Sequence, residues 1–231
     1  MTSCVVVFSG GQDSTTCLAQ ALKHYERVYT IGFTYGQRHA VELACRKRIL
    51  SKIEGLLGTH ALQPDLLVDL KSFGQIATCA LTSDAPIEED AKTGLPTSFV
   101  PGRNLVFLTY AASYAWKAGA TDIITGVGEA DFSGYPDCRE ATIRALEAAI
   151  NLGMESHFHL VTPLMHLSKK ATWELVESVG GKALVDFIRT ETHTCYEGDR
   201  EHLHEWGYGC GKCPACRLRE RGWLEYVASN S

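Results

Sequence analysis

Along most of the chain, short apolar runs alternate with stretches of helical period. The first run, Val5-Val6-Val7-Phe8, has no polar face and suits a strand buried on both sides. It breaks into Ser9-Gly10-Gly11, after which residues 15–22 carry apolar side chains at helical spacing. A second run at 27–35 (RVYTIGFTY) is β-branched and aromatic and leads into a long helical pattern over 37–57. Residues 60–70, 121–125 and 158–162 read as three further strands, the last ending before Pro163. Helical patterns follow at 105–117, 139–152 and 168–179. The 105–117 segment is apolar nearly all round, which predicts a buried helix. Residues 84–98, with Pro86, Glu88, Glu89, Asp90, Gly94 and Pro96, form a long loop. Strands and helices in alternation predict an α/β protein with an open, mostly parallel five-stranded sheet and helices on both faces. The expected division is an α/β domain over 1–185 and a cysteine-bearing appendage over 186–231.

Composition narrows the function. With 231 residues and 45% hydrophobic side chains, the chain has ample material for a full core. A net charge of −5 argues against gripping nucleic acid, so no stable nucleic-acid binding is expected. Met1-Thr2-Ser3 runs straight into the first strand, and no apolar run approaches about 18 residues. The expectation is a cytoplasmic chain with no membrane contact. Of nine cysteines, Cys4, Cys17, Cys45 and Cys79 lie singly in apolar or helical settings and read as small buried hydrophobes.

Chemistry enters at the first turn. A buried strand, a glycine pair and a helix start aim free N–H groups and the positive end of a helix dipole at one spot, where a polyphosphate fits. The hydroxyls of Ser9 and Ser14 can donate to phosphate oxygens. A carboxylate there calls for a cation, so Asp13 reads as a ligand of the magnesium that accompanies a nucleotide. The loop lacks the lysine of a Walker A motif. Gly36-Gln37-Arg38 falls where the second strand ends, the edge at which open α/β sheets bind ligands, so Gln37 and Arg38 can reach the nucleotide. Arg103 follows the turn Pro101-Gly102 at the start of the buried helix and needs an anionic partner, for which phosphate is suited. Gly126-Val127-Gly128 lacks the third glycine of a dinucleotide fingerprint and is discounted as one. The loop after the fourth strand packs Glu129, Asp131, Ser133, Tyr135, Asp137 and Arg139 into eleven residues. It should stand beside the phosphate loop and take a second substrate. Ser168-Lys169-Lys170 starts another helix, and Lys169 is preferred for neutralising charge on a departing phosphate. His157/His159 and His202/His204 are assigned no metal.

Cys210, Cys213 and Cys216 stand at two-residue spacings, with Cys195 upstream. Four thiolates so placed form a closed tetrahedral zinc site, with no open position for a substrate, that ties the tail down. Lys212, Arg217 and Arg219 offset its negative charge. An iron–sulfur cluster is the rival, but the ferredoxin run continues to a nearby fourth cysteine and proline that are missing.

Ser-Gly-Gly-Gln-Asp-Ser at 9–14 resembles the SGGxDS loop of the N-type ATP pyrophosphatases, which transfer AMP to an oxygen and whose loop holds the departing pyrophosphate. That loop, Gly36-Gln37-Arg38, FVPGRN at 99–104, GVGEADFSGYPDCR at 126–139, Thr162-Pro163-Leu164 and the four cysteines together resemble the 7-cyano-7-deazaguanine synthases of queuosine biosynthesis. The resemblance implies an adenine nucleotide alpha hydrolase-like fold and conversion of 7-carboxy-7-deazaguanine, ammonia and ATP to the nitrile. The acid would be adenylated and aminated, and the amide adenylated again and dehydrated. It implies ATP binding by Phe8, Ser9, Gly10, Gly11, Gln12, Asp13, Ser14, Gly36, Gln37, Arg38, Arg103, Asn104 and Gly126, with Asp13, Arg103 and Lys169 serving catalysis. Asp131, Tyr135, Asp137 and Arg139 would bind the deazaguanine. Asp137 is favoured for reading the base edge, Tyr135 for stacking and Arg139 for the substrate carboxylate. One structural zinc per chain, magnesium with ATP and a homodimer are implied as well. One α/β domain and the tail use up the length, which leaves free ammonium as the nitrogen source. The rivals are a tRNA-thiolating adenylyltransferase, which wants an exposed cysteine near the loop, and a non-catalytic nucleotide-binding module.

Overall fold

The structure is a computed structural model that describes residues 2–36, 41–76, 91–92, 94–129 and 135–230. Gln37, Arg38, Cys79, Asp131 and Ser133, singled out above, lie outside the described residues, as does most of the 84–98 loop.

Five parallel strands form one sheet: β1 (Ser3–Val7), β2 (Arg27–Thr34), β3 (Leu66–Asp69), β4 (Asp122–Ile124) and β5 (His159–Val161), in the order β3-β2-β1-β4-β5. The period of two divides β1, β2, β4 and β5 between two cores, while β3 turns one face to solvent. Cys4, Val6 and Phe8 of the β1 segment join a cluster beneath α1 (Gln12–His24) and α2 (Val41–Leu57) that also holds Trp173 and Ile188 of α6 (Lys169–Glu191). Val5 turns to the opposite cluster with Ile123 and Leu160, beneath α4 (Arg103–Ala118) and α5 (Glu140–Met154). A short α3 (Lys71–Ile76) follows β3. Because β1 pairs with β2 on one side and β4 on the other, the chain reverses its direction of winding at β1, and a crevice opens at the carboxyl ends of β1 and β4.

Several elements depart from the hydrophobic pattern. The third strand begins at Leu66, not near residue 60, with only an isolated bridge Val28–Leu62 before it. Pro64 has no N–H to give a ladder, and the chain straightens only after it. The helix α4 is not buried all round: Leu108, Ala111, Ala112 and Ala115 face the sheet, while Tyr110 and Trp116 are exposed. The helix expected to stop at 179 kinks at Gly180-Gly181 and runs on to Glu191, because Leu184, Val185 and Ile188 still face the core. The division expected at 185/186 therefore falls inside a helix. The C-terminal segment adds a hairpin, β6 (Leu203–His204) with β7 (Gly207–Tyr208), and α7 (Pro214–Ser229). Trp223 of α7 meets Trp173 edge to face at 5.1 Å, and Tyr226 enters the main core, so the appendage is packed onto the sheet domain.

Candidate active site

The chain turns from β1 into α1 through a loop held by the Ser14 hydroxyl. Its Oγ accepts from the N–H groups of Ser9 (3.2 Å) and Gly10 (3.3 Å), lies 3.0 Å from Ser9 Oγ, and donates to the Gly11 carbonyl. Gly10 sits at φ +96, and a Cβ there would lie 2.8 Å from the Glu42 carbonyl oxygen, so glycine is demanded twice over. Gly126, just past β4, lies against the backbone of Asp13 and Ser14, where a Cβ would come within 3.0 Å of the Asp13 carbonyl carbon. The start of α1 has no side-chain cap, which leaves its N-terminal N–H groups for a ligand. Lys169, the first residue of α6, is buried and donates to both carboxylate oxygens of Asp13 at 2.8 and 2.7 Å. Side chains 156 residues apart meet because α1 and α6 pack side by side.

A cavity of about 360 Å³ opens over this loop. It is lined by Phe8, Ser9, Gly11, Gln12, Asp13 and Ser14 from the first turn, Arg103 and Asn104 from the start of α4, and Gly126, Tyr135 and Lys169. Arg103 donates to the Tyr35 hydroxyl (3.4 Å) and lies 5.9 Å over the Tyr135 ring. Tyr135 is fixed by Ser98 Oγ at 2.7 Å and stacks on Phe99. Gln12 is 2% exposed, and both of its amide atoms lack a hydrogen-bond partner among the described residues. Such an orphan in a cavity wall is costly unless a ligand meets it.

Two residues of the expected substrate loop do not face the cavity. Asp137 is buried and accepts the Asn104 N–H at 2.9 Å, so its carboxylate caps the start of α4. Arg139 is exposed at the N-terminus of α5. Gly36 is exposed beyond the end of β2, outside the cavity lining.

Glu42, His193 and Tyr196 are among the lining residues not singled out in the sequence. Glu42, in the first turn of α2, is half-buried, and burial pushes its carboxyl up to about 7 against the opposing pull of the Arg103 guanidinium. His193 is buried, its N–H donates to the Gly10 carbonyl (3.3 Å), and desolvation holds its imidazole below the usual range. Tyr196 carries a phenol that burial and a bond to Tyr135 push well up. The visible signal was position: Glu42 follows the strand end that Gly36 marks, and His193 and Tyr196 flank Cys195.

Residues 193–196 join the cavity wall to the cysteine cluster. The sulfurs of Cys195, Cys210, Cys213 and Cys216 lie within 4.8 Å of one another, with Cys210 and Cys216 at 3.9 Å. A tetrahedron with metal–sulfur bonds of about 2.3 Å has edges of about 3.8 Å, so four thiolates converging this closely fit a metal ion. The N–H groups of Cys210, Lys212 and Cys213 point at sulfurs at 3.3–3.4 Å, as negative thiolates require. Arg219 does more than offset charge: it is 1% exposed and donates to the carbonyls of Trp206 and Ile188 and to Thr194 Oγ1.

A doubly wound parallel sheet with a glycine turn at its switch point is an adenine nucleotide alpha hydrolase-like fold, here extended by a four-cysteine cluster that can hold a metal. The chain belongs to the family described as Queuosine biosynthesis protein QueC, whose family model matches residues 3–227. It is 59% identical over 224 residues to the 7-cyano-7-deazaguanine synthase of Alkalilimnicola ehrlichii, covering 96% of this chain and 94% of that protein. It is 54% identical over 230 residues to the protein of the same name from Zymomonas mobilis, covering 99% and 90%. Among solved structures, it resembles the crystal structure of a 4-thiouridine synthetase–RNA complex with bound ATP, with TM-score 0.50 and 17% identity. That match covers 98% of this chain and 52% of the synthetase, so the chain spans about half its length, and the likeness is one of fold alone.

Proposed function

We infer that the chain is a 7-cyano-7-deazaguanine synthase, an ATP-dependent carbon–nitrogen ligase that converts 7-carboxy-7-deazaguanine and ammonia to the nitrile. The observation that carries this is 54–59% identity, over nearly the full length of both chains, to proteins of that name. The cavity is in keeping with it: a loop of free N–H groups, two basic side chains and an aromatic ring share one space. A carboxylate does not react with ammonia, because oxide is too poor a leaving group, whereas an acyl adenylate expels AMP. Adenylating the amide oxygen in turn permits dehydration.

In this reading Phe8, the loop 9–14, Gln37, Arg38, Arg103, Asn104 and Gly126 bind ATP, with the α1 N-terminus on its phosphates, while Gly36 lies outside the cavity. Asp13 holds the magnesium that comes with ATP, which supplies charge neutralisation at the phosphates. Lys169, which otherwise pairs with Asp13, then faces the departing pyrophosphate together with Arg103. Tyr135 stacks on the deazaguanine, and Asp131 and Arg139 belong to the same segment. Asp137 acts at one remove by fixing the start of α4 beside Arg103. The four cysteines hold one zinc per chain as a closed structural site. Homodimer formation and cytoplasmic residence complete the proposal. A thiolating role is disfavoured because Cys17 is 1% exposed and burial pushes its thiol up.

Protein mixed with ATP, magnesium, ammonium and 7-carboxy-7-deazaguanine is expected to yield the nitrile by mass spectrometry. Recovery of unchanged acid would sink the assignment.

A further inference from the structure

We propose that Glu42 is the proton acceptor that converts bound ammonium into attacking ammonia in this cavity. The proposal rests on the synthase reading and adds to it the group that activates the nitrogen.

Among the described lining residues the cavity holds two acids, Asp13 and Glu42. Asp13 is committed to Lys169. The acids just outside the cavity are committed too: Asp65 to Arg46 and Thr30, and Asp137 to the Asn104 N–H. Glu42 alone has no hydrogen bond or ion pair with its side chain among the described residues. A half-buried carboxyl without partners among the described residues, on the wall of a cavity, is unfavourable by itself and is offset when a cation or a donor arrives. Ammonium is such a cation, with four N–H donors and no lone pair to attack with.

The charged and titratable groups around Glu42 do not replace it. Arg103 of α4 attracts the carboxylate but cannot accept a proton. Tyr35, at the end of β2, accepts from Arg103. Lys169 of α6 and Asp13 of α1 neutralise one another. Arg46, one turn further along α2, is held by Asp65 and the Phe8 carbonyl. His193, from the segment after α6, has Nε2 on the Cys195 carbonyl, and its Nδ1, without a partner among the described residues, is closed off from solvent. With its carboxyl pushed up to about 7 by burial, Glu42 is basic enough to take a proton and acidic enough to release it near neutrality.

The step balances without a further reagent. An ammonium N–H bond breaks, its electron pair stays on nitrogen, and the proton goes to the Glu42 carboxylate. The nitrogen lone pair forms the bond to the acyl carbon, and the carbon–oxygen bond to AMP breaks with its electrons on AMP. The second nitrogen proton leaves on the AMP phosphate, which gives amide, protonated AMP and protonated Glu42. Glu42 then returns its proton to water through the open side of the cavity.

The test compares Glu42→Gln with wild type in three assays. With ammonium, kcat/KM for the nitrogen donor is expected to fall by about 10²-fold or more. Pyrophosphate exchange into ATP, driven by the deazaguanine acid without ammonium, is expected to stay unchanged, because adenylation does not use Glu42. Hydroxylamine, already largely unprotonated at neutral pH, is expected to support hydroxamate formation by the variant at nearly the wild-type rate. Equal losses with ammonium and hydroxylamine would overturn the proposal in favour of a positioning role. So would weaker exchange with poorer affinity for the acid, which would make Glu42 a reader of the base. Undiminished use of ammonium would overturn it outright. If wild type shows no exchange, the synthase reading itself falls and the proposal goes with it.

Discussion

The β1–α1 rim and the cysteine lobe wall the same cavity but are held in place by different means. Behind the rim stand two apolar clusters that enclose the centre of β1 and the residue after it, with Cys4, Val5, Val6 and Phe8 at 0% exposure. The loop inherits its position from that core, from the hydroxyls of Ser14 and Thr15, and from the backbone N–H of His193 on the Gly10 carbonyl. The lobe has five buried members in its own cluster, Cys195, Trp206, Cys213, Ala215 and Cys216, and three of them are sulfur donors. Removing a ligand from such a cluster removes much of its core, whereas removing a rim side chain leaves the core untouched. Where apolar burial is thin, a metal held by the four sulfurs would supply folding energy.

The sharpest way to break this contrast is at the lobe. Chelation, or Cys213→Ser, is expected to release one metal ion per chain and unfold residues 193–216, since structural zinc contributes on the order of 10 kcal/mol in small zinc modules. Because that segment also walls the cavity, ATP binding should weaken together with stability. A Cys213→Ser protein that melts like wild type would contradict this, and iron with sulfide in metal analysis would replace zinc. At the rim the opposite pattern is expected. Asp13→Asn should lower kcat by about 10²–10³-fold, several kcal/mol in the transition state, with an unchanged melting temperature. Retention of a substantial fraction of the wild-type rate would remove Asp13 from the chemistry.

Asp137 belongs to neither extreme. Asp137→Ala is expected to cost about 1–2 kcal/mol of stability through the lost bond to the α4 N-terminus, with little direct effect on the deazaguanine acid. Selective loss of affinity for the acid at wild-type stability would return Asp137 to the substrate. The smallest effect concerns Glu42. Its carboxyl rises from an ordinary 4.5 to about 7 in the fold, so between those values the folded chain keeps a proton that the unfolded chain has released. Stability should therefore fall as pH rises through that window. Glu42→Gln should match wild type below it and melt slightly higher above it, in a series of thermal melts.

The sheet was legible in the sequence because β1, β2, β4 and β5 are apolar runs ending near a glycine or proline signal, whereas β3 has no such stop after Asp69 and begins later than its apolar run. The turn from β1 into α1 was legible because strand, glycines and helix follow one another. The cysteine cluster was legible because spacing alone constrains it. The continuation of α6 was not, since Gly180-Gly181 reads as a stop until Leu184 and Ile188 are seen in the core. The role of Asp137 was also hidden. An acid in a polar loop reads as a ligand donor, and only the approach of the α4 N-terminus from 33 residues away shows a cap. Glu42 stayed silent for a related reason, because a glutamate in a helix's first turn reads as a favourable dipole contact.

The bond broken in ATP tests the central claim most directly. With ATP labelled at the α or γ phosphate, 7-carboxy-7-deazaguanine and ammonium, the label should appear in AMP and in pyrophosphate respectively, in step with nitrile formation. Labelled ADP and single phosphate as the primary products would mean acyl-phosphate chemistry and would contradict an adenylating cavity at the β1–α1 turn.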